Sequence, residues 1–294
     1  MRYQLLVLMA LALIFQGCWG ASDKDPHSGD PSTRATARAT ASANPTAGPL
    51  PQLQIGPKDG NAFKNSLSLL MVWIPPGRFS MGQGTNHSSE KPVHEVKIKK
   101  GFWMGATEIT QEQYEQVAKS NPSRQKGQNH PVESVSFFEA QKFCEELTKQ
   151  EQDLGLIDKS FHYGIPSEAQ WEYACVAGTR HKTYGLPVNE VAWHRKNAQG
   201  KHHPVGEKRP NPWGLYDILG NVSEWCACHW HENYVGAPQN DSVWKEKAKS
   251  QNRIGRGGDF NKLPHFSCSY MRRFHNKPED KPADRGMRIV LLRK

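Results

Sequence analysis

The apolar positions of this chain come in short runs separated by turn residues, and three stretches show the start signal of a helix. Each opens on a hydroxyl side chain followed three residues later by Glu or Gln, the reciprocal cap of a helix N-terminus. Thr110 with Gln113 predicts a helix over 111–119. Ser136 with Glu139 predicts one over 137–150, with Phe138, Ala140, Phe143, Cys144 and Leu147 as its apolar stripe. Ser167 with Gln170 predicts a third, running through Tyr173 to about 176. Strands are predicted over 71–74, 77–81, 93–98, 102–109 and 289–292. The stretch VHEVKI at 93–98 partly alternates apolar and polar residues, as a half-buried strand does. No fixed-period repeat is legible. Short strands, many turns and few helices point to an α+β domain rather than a parallel sheet with long crossover helices.

Two segments at the start stand outside this pattern. After Met1 and Arg2, residues 5–15 (LLVLMALALIF) form an eleven-residue apolar core. That is too short to span a bilayer and about the length of a secretory leader core. Residues 15–18 (FQGC) resemble a bacterial lipobox, which makes Cys18 the lipid-carrying residue; cleavage near Gly20 or Ala21 without a lipid is the alternative. Residues 21–55 are mostly Ala, Ser, Thr, Pro and Gly, with too little apolar surface to offset chain entropy. The expected organisation is a lipoprotein-like signal peptide at 1–20, a disordered linker at 21–55 and one domain at 56–294. The expected location is a bacterial membrane, periplasmic or at the cell surface, reached through the lipid anchor; secretion is the alternative.

Charge narrows the partners. Residues 243–294 hold fourteen Lys plus Arg against five Asp plus Glu, a surplus equal to the +9 of the whole chain. A basic end suits an anionic ligand or membrane surface, or is a solvated face. An exported chain with no binding motif for nucleic acid is not expected to take one.

Residues 211–225 (NPWGLYDILGNVSEW) carry the densest candidate chemistry. Pro212 and Gly214 mark one turn and Gly220-Asn221 another, and Asp217 and Glu224 bracket the second. Two carboxylates around a glycine make either a plain structural turn or a loop for a hard cation such as calcium. Cys226, Cys228, His229 and His231 follow directly. They are either transition-metal ligands, with a cysteine spacing cramped for zinc, or ordinary residues, one of the cysteines being open to pairing with Cys144.

Eight motifs then stand in one order: MVWIPPGRFSMG from 71, EKPVHEV from 90, FWMGATEITQEQY from 102, HPVESVS from 130, IPSEAQWEY from 165, the 211–225 stretch, RGG from 256 and RGMR from 285. Together they resemble the formylglycine-generating enzyme, or sulfatase-modifying factor, family over residues 69–292. The resemblance implies a variant of the C-type lectin fold, with a small twisted antiparallel sheet, two helices and much irregular structure. It implies a calcium ion held by the side chains of Asp217 and Glu224 and the backbone oxygens of Gly220 and Val222. It implies a Cys175–Cys268 disulfide, and it places Arg272, Arg273 and Arg288 where the family buries arginines against carboxylates.

The resemblance fails at the chemistry. Catalytic members carry two cysteines after the Gly-Gly pair, and soft thiolates suit monovalent copper. Counted from Gly258, Lys262 takes the first of those positions; counted back from Arg288, the second falls on Phe266 or Ser267. Neither supplies sulfur, so copper is not expected and no catalytic residue is assigned. The expected function is a ligand- or protein-binding lectin-like module that presents Lys262, His265, Tyr270, Arg272, Arg273 and His275 to an unknown ligand or exported protein. The alternative is a divergent oxidoreductase or protein-modifying enzyme acting on a cysteine of an exported substrate.

Overall fold

A computed structural model of the chain describes residues 57–83, 87–179, 181–246, 248–272 and 274–294. The expected leader with Cys18, the whole of the linker, and Arg273 lie outside the described residues. Among the described residues no helix is long and apolar enough to cross a membrane.

The three predicted helices form from their caps. In α1, Gln111–Ala118, Thr110 Oγ1 accepts from Gln113 N–H at 3.2 Å and the Gln113 side chain accepts from Thr110 N–H at 3.0 Å. Ser136 and Glu139 make the same exchange for α2, Phe137–Asp153, and Ser167 and Gln170 for α3, Glu168–Val176. A fourth, single-turn helix, α4, spans Val188–Val191. α2 buries Phe137, Ala140, Phe143, Cys144 and Leu147, but Phe138 is 54 % exposed and so is not on the stripe. α3 is buried on every side except at its last residue. Its two acids therefore need internal partners. Glu168 pairs with Arg272 at 2.8 Å and with Arg256 at 3.4 Å, and Glu172 pairs with Arg256.

The strands are β1 (Phe63–Lys64), β2 (Leu70–Ile74), β3 (Gly77–Met81), β4 (His94–Ile98), β5 (Phe102–Gly105), β6 (Phe161–Gly164), β7 (Ser223–His229), β8 (Arg253–Arg256), β9 (Phe274–Asn276), β10 (Arg285–Gly286) and β11 (Val290–Arg293). They form three sheets, in the orders β1-β2-β5-β11-β6, β10-β7-β8-β9 and β3-β4. All pairings are antiparallel except β10 with β7. One core cluster joins the first sheet to α1 and α2, and a second joins α3 to β3, β4 and β7. The fold is thus the expected α+β variant of the C-type lectin type, with its strands distributed over more than one sheet. The predicted strand over 102–109 stops at Gly105; the Ala106 N–H still meets the Leu70 carbonyl in the β2–β5 register, and Thr107 and Glu108 lie beyond the strand. β7 escaped the sequence reading because its residues are buried on both faces and show no alternation.

Candidate functional site

The loop that leads into β7 gathers three buried carboxylates, Glu108, Asp217 and Glu224, around one guanidinium, Arg288. Arg288 donates to Glu224 through Nε at 3.0 Å and Nη2 at 2.7 Å, and to the Gly105 and Tyr216 carbonyls at 2.9 and 2.8 Å. Trp171 Nε1 donates to Glu224 Oε2 at 2.7 Å. Glu108 accepts from the Val222 N–H and the Asn221 side chain, each at 3.2 Å. Asp217 Oδ2 accepts from Gly206 N–H at 2.6 Å, whereas Oδ1 is buried and unpartnered. Burial pushes the Asp217 carboxyl up to about 6. Burial, reinforced by the charge of Asp217, holds Glu108 well above the usual carboxylate range. Burial alone would lower Arg288, but the Glu224 charge outweighs it and the guanidinium ends above its ordinary value.

This arrangement fits a hard cation in part. The lone Asp217 oxygen and the surplus of negative charge suit calcium. Gly220 has to be glycine, because a Cβ there would sit 2.4 Å from the Trp193 carbonyl oxygen. Glu224, the other expected side-chain ligand, has both oxygens engaged by Arg288 and Trp171. Among the described residues no group of three or more His, Cys, Asp or Glu converges on a metal position. A cation here would therefore rest on Asp217, backbone carbonyls and water. Glu108 was missed by sequence; its signal was a single acid inside an apolar run read as strand.

The position that the resemblance gives to the first copper thiolate lies in the segment after β8. Lys262 Nζ bonds to Asp284 Oδ2 at 3.1 Å and lies 3.4 Å from Asp259 Oδ2. These groups line a cavity of about 290 Å³ together with His275, Asn276 and Arg285. Burial, with Asp284 adding to it, raises Asp259 to about 6. Burial pulls Arg285 down to about 10 against the charges of Asp284 and Asp259.

The other residues expected on a ligand surface do not converge there. His265 is exposed on a short turn and packs on Phe266. Tyr270 lines a separate groove of about 870 Å³ with Phe79, Tyr173 and Lys182. Arg272 is fully buried against Glu168, so it belongs to the core and not to a displayed surface. His275 is exposed, stacks on Trp230 at 4.2 Å and also borders the cavity beside Lys262.

The five described cysteines are buried and free. The Cys175–Cys268 bridge is therefore not formed in this structure, and the Cys268 thiol donates to the His265 carbonyl at 3.6 Å. Burial pushes that thiol up to about 11, away from thiolate character. Cys144 is also unpaired. Cys228 accepts backbone N–H bonds from Glu168 and Trp244, each at 3.3 Å. His231 stacks on Trp244 at 3.5 Å, and its ring nitrogens meet the His229 and Glu246 carbonyls at 3.0 and 2.8 Å. These contacts commit Cys228 and His231 to packing against the backbone and Trp244.

Comparison with known proteins agrees with this architecture. Residues 61–292 match the family model described as sulfatase-modifying factor enzyme 1-like domain. The chain is 29 % identical over 236 residues to Chaperone protein LppX of Paenibacillus barcinonensis, covering 64 % of this chain and 79 % of that one. It is 31 % identical over 186 residues to the formylglycine-generating enzyme of Thermomonospora curvata, covering 55 % of each. The chain therefore spans about half the length of that enzyme. The solved structure of PvdO from Pseudomonas aeruginosa superposes with a TM-score of 0.70 at 27 % identity, over 80 % of this chain and 99 % of that one. With the family model running from the first strand to the last, this chain belongs to the sulfatase-modifying factor, or formylglycine-generating enzyme, family.

Proposed function

We propose that this protein is an exported, lipid-anchored member of the family that binds an exported polypeptide rather than oxidising one. The observation that carries the reading is Lys262. Its ammonium stands where the resemblance puts a copper thiolate, and it is held by Asp284 and Asp259. An ammonium has three donors and no lone pair to give a metal. The nearest cysteine in sequence, Cys268, is a buried thiol turned to a carbonyl. The leader with FQGC supports export with a lipid on Cys18. The likeness to a protein named as a chaperone supports a polypeptide partner. The Asp217 loop is read as a structural calcium site that braces the entry to β7.

The test is a photocrosslinking side chain at position 275, which is exposed and borders the cavity beside Lys262, in the full-length protein made in a bacterium that lipidates exported proteins. A discrete crosslinked polypeptide is expected, absent when the crosslinker stands at exposed Leu154. Copper-dependent conversion of a sulfatase-type cysteine peptide to formylglycine by the purified protein would overturn the reading.

A further inference from the structure

Among the described residues four arginines are buried: Arg256, Arg272, Arg285 and Arg288. Three sit against carboxylates, Arg256 on Glu172, Arg272 on Glu168 and Arg288 on Glu224. Arg285 does not. Among the described residues no carboxylate lies within ion-pair distance of its guanidinium. Its Nε donates to Ser223 Oγ at 3.2 Å and its Nη1 to Asn276 Oδ1 at 2.8 Å, both neutral acceptors. Its plane rests over Trp225 at 4.5 Å. No described residue accepts from Nη2. Gly255 keeps β8 clear of it, since a Cβ there would lie 2.4 Å from the guanidinium carbon.

A buried cation with only neutral partners is costly unless an anion completes it. Arg285 forms one wall of the cavity of about 290 Å³, and Lys262 lines the same space. A guanidinium edge matches a planar carboxylate. The neighbouring Asp259 and Asp284 limit how much negative charge can enter, because like charges at close range repel. A monoanionic carboxylate is favoured over phosphate or sulfate on that ground.

We infer that Arg285 and Lys262 form a subsite for a carboxylate of a polypeptide ligand, either a chain end or an acidic side chain. The inference rests on the polypeptide-binding reading above and names the group that reading leaves open.

Calorimetric titration of the full-length protein in detergent tests it with four probes. They are acetyl-triglycine with a free carboxylate, the same peptide as its amide, acetyl-Gly-Glu-Gly-amide and inorganic phosphate. At least one carboxylate peptide should bind tenfold or more tightly than the amide and the phosphate. Which peptide does so separates the chain end from the side chain. Arg285→Leu should weaken that binding about 10- to 100-fold, the scale of one charge-assisted hydrogen bond. Arg285→Gln should do the same if the leucine variant does not fold. Equal binding of amide and carboxylate, tighter binding of phosphate, or retained binding in both variants would overturn the subsite. Such a failure with position-275 crosslinking intact removes the subsite alone; copper-dependent peptide oxidation removes the reading beneath it.

Discussion

Replacing Arg288 and Arg285 each by leucine should have unequal consequences, although both side chains are buried. Among the described residues Arg288 is the guanidinium bonded to the acid cluster, at 2.7 Å from Glu224. Its loss leaves Glu224 buried without its cation beside Asp217 and Glu108. Breaking such a pair costs about 3–5 kcal/mol. Arg285 has its pKa lowered from an ordinary 12.5 to about 10. At 1.36 kcal/mol per unit, keeping its charge in the folded state costs roughly 3 kcal/mol. Leucine removes that cost, and two hydrogen bonds to neutral acceptors, worth about 1 kcal/mol each, are lost with it. Arg285→Leu should therefore fold with a stability within about 1–2 kcal/mol of wild type, unchanged or higher. Urea denaturation at pH 7 with calcium held constant measures both variants, and equal m-values secure the comparison. A loss of about 3 kcal/mol or more in Arg285→Leu would show that this guanidinium has a compensating charge, and the reasoning would fail.

Calcium stability should depend on pH in a definite direction. Asp217 is raised to about 6, so the folded, cation-free protein keeps its proton longer than the unfolded chain does. That contribution is complete below the ordinary value of 3.8 and is lost as pH rises through about 6. Calcium takes the ionised form, so the Tm difference between calcium and chelator should widen from pH 5 to pH 7.5 and vanish in Asp217→Asn; a pH-independent difference contradicts it. Ser136→Ala removes the α2 cap and should cost about 1 kcal/mol in chemical denaturation, against under about 0.5 for exposed Lys142→Ala. Cys18→Ser should leave a soluble or uncleaved product, and a mature N-terminus found by mass spectrometry at any other residue argues against the anchor. Cys175 and Cys268 should alkylate on unfolding without reductant, and a need for reductant would restore the bridge.

Local structure was legible where a short rule governs it. The three capping boxes set three helix starts, and α3 ended where expected, at Val176, with Ala177 left-handed at φ 48°. α2 ran on to Asp153, past the predicted 150, because Glu151 is tied down by Ser66 and Tyr163, contacts far away in sequence. The placement of buried charges was not legible. Glu108 enters the acid cluster only because the chain leaves β5 after Gly105, and nothing in the run ATEIT announces that turn. Arg285 and Lys262 are twenty-three positions apart in sequence. Only the return of the chain through β9 and β10 puts both on one cavity. Cysteine pairing was inferred from a resemblance, and in the structure the Cys268 thiol turns to the His265 carbonyl instead.

Copper affinity tests the central claim most directly. The full-length, reduced protein is titrated with copper(I) held by a competing chelator of known affinity, with a formylglycine-generating enzyme as the positive control. With Lys262 bound to two aspartates and the described cysteines buried as thiols, no copper should transfer to the folded chain. One equivalent of copper(I) taken up by the folded protein, and lost in Cys268→Ser, would contradict the account.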